Sequence, residues 1–353
     1  MAIEDRVKGL AAELTPPDEA AAEAARRRHL RLAKPPGSLG RLEELGARLA
    51  GMAGKCPPPV PESPAVIVCA GDHGVLERGV SPWPQAVTAV MVSNFCRGGA
   101  AVNAIAKTVA ARVSVLDVGV ASQLERPPLL RAAKVRRGTD DLSRGPAMSR
   151  EEAARAVMAG SGVAEELVES SGVDLLVTGD MGIGNTTPAA CLISAFTGSP
   201  PKETTGRGTG IDDETLKFKV NVVEETLGLH APDDEDPLGV LAAIGGLEHA
   251  AIVGVILTGA VYGVPVVLDG VVSNSAALVA HALAPHSVEY VIAGQRSAEP
   301  GARIALEHLG LEPHLDLDMR LGEGTGGLLA VPLAQAAART LAEMATLEEM
   351  GLG

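Results

Sequence analysis

DLLVTGDMGIG, from Asp174 to Gly184, is a short aliphatic run that passes directly into a glycine turn with one acidic residue. Four other segments have the same form: AVIVCAGDHG (65–74), VSVLDVG (113–119), VPVVLDG (264–270) and VEYVIAG (288–294). Their apolar residues are continuous rather than alternating, which is typical of strands covered on both faces. Helical patterns such as EEAARAVMAGSGVAEELVES (151–170) lie between them. This order predicts βαβ units, and therefore an α/β fold with a mostly parallel sheet and flanking helices.

The ends of these aliphatic runs indicate where a ligand would bind. In open parallel sheets, ligands bind beyond the carboxyl ends of the strands. The GD, DVG, GDMG, LDG and AG endings all belong to that edge. We therefore predict that the functional site lies there.

The two ends of the chain differ from its middle. RLEELGARLAGM (41–52) and the segment from Leu333 to Leu347 each show an apolar stripe at helical spacing. CPPPVPESP (56–64) is typical of a stiff connector. We predict a small helical lobe formed from residues 1–60 and 328–353, beside an α/β catalytic lobe of residues 61–327.

Composition excludes several classes of function. The net charge of -14 over 353 residues argues against general nucleic-acid binding, although a local site for a small anion remains compatible. The four cysteines form no CxxC pair, and the N-terminus has no apolar signal region, so we expect reduced thiols and a cytoplasmic protein. The charge-free stretch from Ala250 to Leu268 is interrupted by glycines and Pro265, which favours a buried helix, a turn and a strand over a membrane span.

GDMGIGNTTP (179–188) joins a predicted strand to a predicted helix. We expect Thr187 to cap that helix and Pro188 to take its first position. A glycine turn at a helix N-terminus can bind phosphate, but an ordinary βα turn explains the pattern equally well.

GRGTGIDDETLKFK (206–219) places three glycines before a helix that we expect to start at Asp212. Leu216, Val220, Val223 and Leu227 would form its buried stripe, with Lys219 at the border of that stripe. Lys219 could bind a phosphate, or it could extend its amine into solvent along the apolar surface.

AGDHGV (70–75) ends a predicted strand with Asp72 and His73. One Asp and one His are too few ligands for a metal site. We therefore expect a structural turn in which both side chains form hydrogen bonds.

RLGEGTGG (320–327) places Glu323 among four glycines. Bare glycine backbone favours an anion, so a carboxylate in the loop argues against a phosphate at that position. Glu323 is either a solvated loop acid or a general base that a flat ligand can approach closely.

KPPGSLGRLE (34–43), AGDHGV, GDMGIGNTTP, GRGTGIDD and RLGEGTGG occur in one order over most of the chain. Together they closely resemble the nicotinate-nucleotide–dimethylbenzimidazole phosphoribosyltransferases. The resemblance implies a Rossmann-like α/β lobe, a small helical lobe from both termini, and a homodimer. It also implies transfer of phosphoribose from nicotinate mononucleotide to 5,6-dimethylbenzimidazole, which gives α-ribazole 5′-phosphate and nicotinate, a step in preparing the lower ligand of cobalamin.

The resemblance also implies roles for individual residues. Glu323 matches the catalytic base, and Asp180 matches a second acid that is often Glu in the family. The other implied positions are Gly182, Gly208, Thr209, Gly210 and Lys219 for the phosphoribosyl group, Gly270 and Ser297 for the nicotinate carboxylate, and Ser81, Met181 and Leu321 for the benzimidazole pocket.

The implied reaction requires no cofactor and no metal. The leaving group is a pyridinium that departs as a neutral ring, and there is no pyrophosphate to neutralise. Two other functions stay open on the residues alone. One is a metal-dependent phosphohydrolase that uses Asp72, His73 and Asp180; the other is a catalytically silent nucleotide-binding sensor.

Overall fold

A parallel sheet forms the centre of the computed structural model, which describes residues 2–125 and 127–352. Its strands are β1 (Pro64–Gly71), β2 (Arg112–Gly119), β3 (Leu130–Ala132), β4 (Leu175–Met181), β5 (Val266–Leu268) and β6 (Val291–Ala293). They lie in the order β3-β2-β1-β4-β5-β6, and each neighbouring pair is parallel. This is the strand order of the Rossmann fold, so the predicted α/β class is confirmed. A separate parallel pair joins β7 (Gln295–Arg296) to β8 (Leu315–Asp316).

Helices cover both faces of this sheet. They are α1 (Ile3–Ala12), α2 (Glu19–Arg31), α3 (Arg41–Ala53), α4 (Ala86–Arg97), α5 (Ala101–Thr108), α6 (Arg150–Ser171), α7 (Thr186–Thr197), α8 (Pro201–Thr204), α9 (Asp213–His230), α10 (Pro237–Ile244), α11 (Leu247–Val261), α12 (Val271–Leu283), α13 (Pro300–His308) and α14 (Thr325–Glu343).

The continuous apolar runs are strands buried on both faces, as their composition predicts. In β1, Ile67 packs into one hydrophobic core, and the adjacent Val66 and Val68 pack into the core on the opposite face. This alternation follows from the two-residue period of a strand. β1 and β4 pair with Ala70 opposite Met181, so their two glycine turns emerge side by side.

The charge-free stretch is a buried helix followed by a strand, as predicted. α11 packs so closely on α6 that a Cβ on Gly254 would lie 1.9 Å from the carbonyl oxygen of Val157. β5 then begins at Val266. Among residues 2–125 and 127–352, no helix is long and apolar enough to cross a membrane.

The two ends of the chain meet in the structure. Leu32 forms an antiparallel bridge with Thr346, and Leu341 of α14 packs with Ala47 and Ala50 of α3. The first half of α14 also packs on the sheet through Leu328. The division into a small helical lobe and an α/β lobe stays a prediction.

Candidate active site

A pocket opens beyond the carboxyl ends of β4 and β5, at the edge where the strand endings predicted it. The space between the atoms that line it is about 670 Å³, with open solvent included. The predicted site residues that line it are Ser81, Asp180, Gly182, Gly208, Thr209, Lys219, Gly270, Ser297 and Leu321. Gly210, Met181 and Glu323 are not part of its lining. Each of them directly follows a residue that is.

The turn from β4 to α7 forms one wall of the pocket. Gly182 is required there, because a Cβ at that position would lie 2.3 Å from the carbonyl oxygen of Gly71. α7 begins at Thr186 with Asn185 as its N-cap, so the expected cap at Thr187 is wrong. The backbone already turns before that residue: the N–H of Asn185 donates to the carbonyl of Gly182 at 3.1 Å.

Lys219 reaches the pocket from α9, which begins at Asp213, one residue after the predicted start, with Asp212 as its N-cap. The buried stripe of this helix differs from the predicted one. Its buried residues are Lys219, Val222, Val223 and Thr226. Lys219 is only 2% exposed, so the alternative in which its amine extends into solvent is wrong. Its ammonium donates to the hydroxyl of Thr186 at 2.7 Å and to the carbonyl of Gly206 at 3.1 Å.

These contacts place a cation beside the first residue of α7. A helix N-terminus has unpaired N–H groups and a partial positive charge, so the two features together favour an anion. Burial lowers the pKa of Lys219 to about 8, and the nearby carboxylate of Glu299 partly offsets this effect. The amine is therefore mostly protonated at neutral pH.

The loop around Glu323 is held in an unusual backbone conformation. Gly322, Glu323 and Gly324 have φ angles of 85°, 64° and 87°, which only glycine adopts without strain. Asp269, at the end of β5, stabilises the loop by accepting hydrogen bonds from the N–H groups of Gly324 at 3.0 Å and Gly326 at 2.7 Å.

Asp269 was not among the residues predicted from the sequence. It also accepts a bond from the N–H of Gly327 at 3.0 Å, so its two oxygens bind the N–H of Gly324 in the loop and two N–H groups in the first turn of α14. Burial raises the pKa of Asp269 to about 7, although these backbone bonds lower it. The LDG ending of its strand was a signal for this position, but an acid that binds only backbone leaves no spacing pattern.

Glu323 is a buried acid. The residue is 4% exposed, so the interpretation of Glu323 as a solvated loop acid is wrong. Burial raises its pKa above the ordinary glutamate value, and a bond from the backbone of Val102 offsets part of that rise. Its Oε2 atom has no hydrogen-bond partner among the described residues. A buried carboxyl with a raised pKa and an unused oxygen can take up a proton from a ligand.

Asp180 is buried beside the same loop. Its Oδ2 accepts a bond from the amide of Asn185 at 2.9 Å. Burial, followed by the charges of Asp269 and Glu248, raises the pKa of Asp180 well above its usual range. Both effects favour the protonated form of Asp180.

Asp72 forms a hydrogen bond of the kind expected for a structural turn, and His73 lies against a buried carboxylate. Asp72 accepts a bond from the N–H of Ala121 at 2.8 Å, and Nε2 of His73 lies 2.7 Å from Oε1 of Glu248. Burial alone would raise the pKa of Glu248, but His73 and His249 lower it to about 2. Within the described ranges, no group of three or more His, Cys, Asp or Glu residues has a metal-binding arrangement.

Several pocket residues were not predicted, because they lie outside the motifs or, like Arg320, had no role assigned within one. Glu299 accepts a bond from the N–H of Gly208 at 2.8 Å, and Arg320 donates to the carbonyl of the same glycine at 2.7 Å. Gln295 lines the pocket, is 1% exposed, and its amide has no partner among the described residues. The residues that hold Gly208 come from distant parts of the chain, so sequence spacing cannot reveal them.

The Rossmann strand order, and a pocket at its strand ends where a buried lysine meets a helix N-terminus, favour an α/β enzyme that acts on an anionic ligand. The sequence model of the phosphoribosyltransferases matches residues 14–352. The nicotinate-nucleotide–dimethylbenzimidazole phosphoribosyltransferase of Salinispora tropica is 54% identical over 97% of both chains. That of Chloroflexus aggregans is 54% identical over 96% of this chain and 95% of its own.

A solved structure agrees with these sequence matches. The crystal structure of nicotinate-nucleotide–dimethylbenzimidazole phosphoribosyltransferase from Thermus thermophilus superposes with a TM-score of 0.90 at 47% identity, over 95% of this chain and 99% of the other. The chain belongs to the family of nicotinate-nucleotide–dimethylbenzimidazole phosphoribosyltransferases.

Proposed function

We propose that this enzyme transfers the phosphoribosyl group of nicotinate mononucleotide to 5,6-dimethylbenzimidazole. The products are α-ribazole 5′-phosphate and nicotinate, as in assembly of the cobalamin lower ligand. The observation that most supports the proposal is the buried Glu323, in a glycine loop whose Leu321 and Gly322 line the same pocket as Lys219. The names of the relatives agree with these substrates.

Glu323 acts as the general base. The incoming benzimidazole attacks C1′ through one ring nitrogen, and the N–H on its other nitrogen becomes acidic as the bond forms. A carboxylate beside that N–H stabilises the growing charge and takes the proton. Glycines on both sides of Glu323 leave space for a flat ring to lie against the loop.

The 5′-phosphate binds where Lys219 meets the N-terminus of α7. Gly182 lies in the turn before that helix, and Gly208, Thr209 and Gly210 form the facing loop. Backbone N–H groups and one ammonium suit a phosphate dianion. Anchoring the phosphate fixes the ribose, so that attack from the face opposite the leaving group inverts C1′.

Nicotinate binds at Gly270 and Ser297. Gly270 is the N-cap of α12, whose first N–H groups lie at the pocket and suit a carboxylate. Pyridinium loses its positive charge as it departs, so this end of the site needs no general acid. Ser81, Met181 and Leu321 form walls for the benzimidazole.

Asp180 is a neutral hydrogen-bonding acid in this proposal rather than a second base. Its burial and its raised pKa support that role. We also propose that the enzyme is a cytoplasmic homodimer with a small helical lobe from residues 1–60 and 328–353. The four free cysteines are consistent with a reducing compartment.

The direct test is to mix the purified protein with nicotinate mononucleotide and dimethylbenzimidazole in EDTA. Nicotinate and α-ribazole 5′-phosphate should appear in equal amounts, and omission of dimethylbenzimidazole should abolish the release of nicotinate. Release of inorganic phosphate that depends on added metal would instead support a phosphohydrolase. Nucleotide binding without turnover would support a sensor.

A further inference from the structure

Glu299 lies directly before α13, two residues after Ser297. Its side chain is 6% exposed. Oε1 accepts a hydrogen bond from the N–H of Gly208 at 2.8 Å. Oε2 lies 1.9 Å from the position that a Cβ on Gly206 would occupy. The carboxylate is thus packed against both ends of the Gly206–Gly208 segment.

Lys219 contacts the same segment. Its ammonium donates to the carbonyl of Gly206 at 3.1 Å and lies 3.7 Å from the Cβ position of Gly208. Lys219 is 2% exposed, and burying a lysine is costly unless an opposite charge is near. Glu299 and Lys219 therefore contact the same short segment, Gly206–Gly208.

Two ionisable groups act on Lys219 in its buried position: Glu299 and Cys191 of α7. Burial raises the pKa of the Cys191 thiol to about 12, so this group is neutral at physiological pH. Glu299 is then the anion that favours the charged form of Lys219.

We propose that Glu299 is a positioning residue of the phosphate subsite, which fixes the Gly206–Gly210 loop before the nucleotide arrives and keeps Lys219 charged. The inference rests on the proposed role of Lys219 as a phosphate ligand. Glu299 lines the same pocket, but its proposed effect on the nucleotide is indirect. It acts through the loop and through the charge of Lys219.

The proposal predicts a particular dependence on pH. Without the charge of Glu299, Lys219 should lose its proton at a lower pH. The KM for nicotinate mononucleotide should then begin to rise at a lower pH than in wild type. The KM for dimethylbenzimidazole should not change, because that ring binds away from the phosphate. A purely structural role would not produce this split between the two substrates.

The decisive variant is Glu299→Gln, which keeps the acceptor for Gly208 and removes the charge. In the ligand-free protein, lysine NMR should show the pKa of Lys219 falling from about 8 by about one unit or more. Glu203→Gln, which changes an exposed acid of α8, is the matched control and should leave that pKa unchanged. An unchanged Lys219 titration in Glu299→Gln would overturn the proposal.

Steady-state kinetics then separates this proposal from the function on which it rests. At about pH 8.5, the KM of Glu299→Gln for nicotinate mononucleotide should exceed the wild-type value by about fivefold or more, and the difference should shrink near pH 6.5. A lowered Lys219 pKa with an unchanged KM would uphold the pairing with Glu299 but overturn Lys219 as a phosphate ligand.

Discussion

The backbone N–H of Glu323 donates a hydrogen bond to the carbonyl oxygen of Asp180 at 3.3 Å. This bond joins the loop of the proposed base to the end of β4. The side chain of Asp180 also lies close to the loop, since its Oδ2 is 3.1 Å from the Cβ position of Gly322. The two acids are therefore neighbours, but their environments differ.

Asp180→Asn should reduce kcat by less than about 13-fold. Burial raises the pKa of the native side chain and so favours its protonated form, which the amide resembles in shape and charge. An uncharged hydrogen bond contributes about 0.5–1.5 kcal/mol, which corresponds to that limit. The measurement is kcat at neutral pH for both proteins. A loss of a hundredfold or more would mean that Asp180 works as a carboxylate (about 10² is the lower limit for losing a base).

Glu323→Gln should lower kcat by about 10²- to 10⁴-fold, because the amide keeps the shape and cannot accept the proton. The loss should fall on kcat rather than on KM for the nucleotide, since the charge appears only as the bond forms. Kinetics with both substrates measures this split. Normal kcat in the variant would rule out Glu323 as the base.

The pH profile of the wild type provides a second test of Glu323. Its pKa is raised by burial, so kcat should fall as the pH drops through that raised pKa, and this acid limb should be absent from Glu323→Gln. Folding stability should depend on pH in the opposite direction to that of an ordinary acid in an ion pair. An acid with a raised folded pKa loses its stabilising contribution as pH rises, so Glu323→Gln should melt no lower than wild type at neutral pH.

Asp269→Asn should lower kcat by about 10- to 100-fold, because a displaced loop moves the base away from its partner. The amide nitrogen cannot accept a bond, so either Gly324 or the pair Gly326 and Gly327 loses its acceptor. A parallel measurement is the melting temperature against pH. The contribution of Asp269 should be lost as pH rises from about 4 to about 7, and the variant should lack that slope. Wild-type kcat in the variant would contradict this role.

Lys219→Ala should raise the KM for nicotinate mononucleotide by about 10- to 150-fold, the equivalent of a charge-assisted bond of about 1.5–3 kcal/mol. Lys217→Ala is the matched control, because Lys217 is exposed on the same helix. Titration of the nucleotide into both variants should reproduce the difference as a change in Kd. Equal KM values for Lys219→Ala and wild type would exclude Lys219 from the phosphate site.

Exhaustive treatment with EDTA should leave activity unchanged. The departing pyridinium becomes neutral and the substrate has no pyrophosphate, so no step in the proposed mechanism needs a Lewis acid. The assay is nicotinate release before and after dialysis against the chelator. Activity that is lost on dialysis and restored by Mg²⁺ or Zn²⁺ would contradict the mechanism.

The sequence by itself determined the α/β class and the edge where the pocket lies. Continuous aliphatic runs such as Ala65–Ala70 can be buried on both faces only in a covered sheet, and glycine turns follow where such strands end. The motifs around Gly182, Gly208 and Glu323 also identified the family, since their order along the chain is a property of the sequence alone.

Tertiary structure alone decided which polar side chains became part of the site. The buried face of α9 is rotated slightly from the predicted one. Polar contacts with Thr186 and Gly206 keep Lys219 buried, and Leu216 is not among the buried residues of the helix. Asp269 and Glu299 were not predicted, because each binds backbone N–H groups far away in sequence. Periodicity records which face of an element is apolar. It does not record which distant glycine a carboxylate will meet, since that depends on how the strands and loops come together in the folded chain.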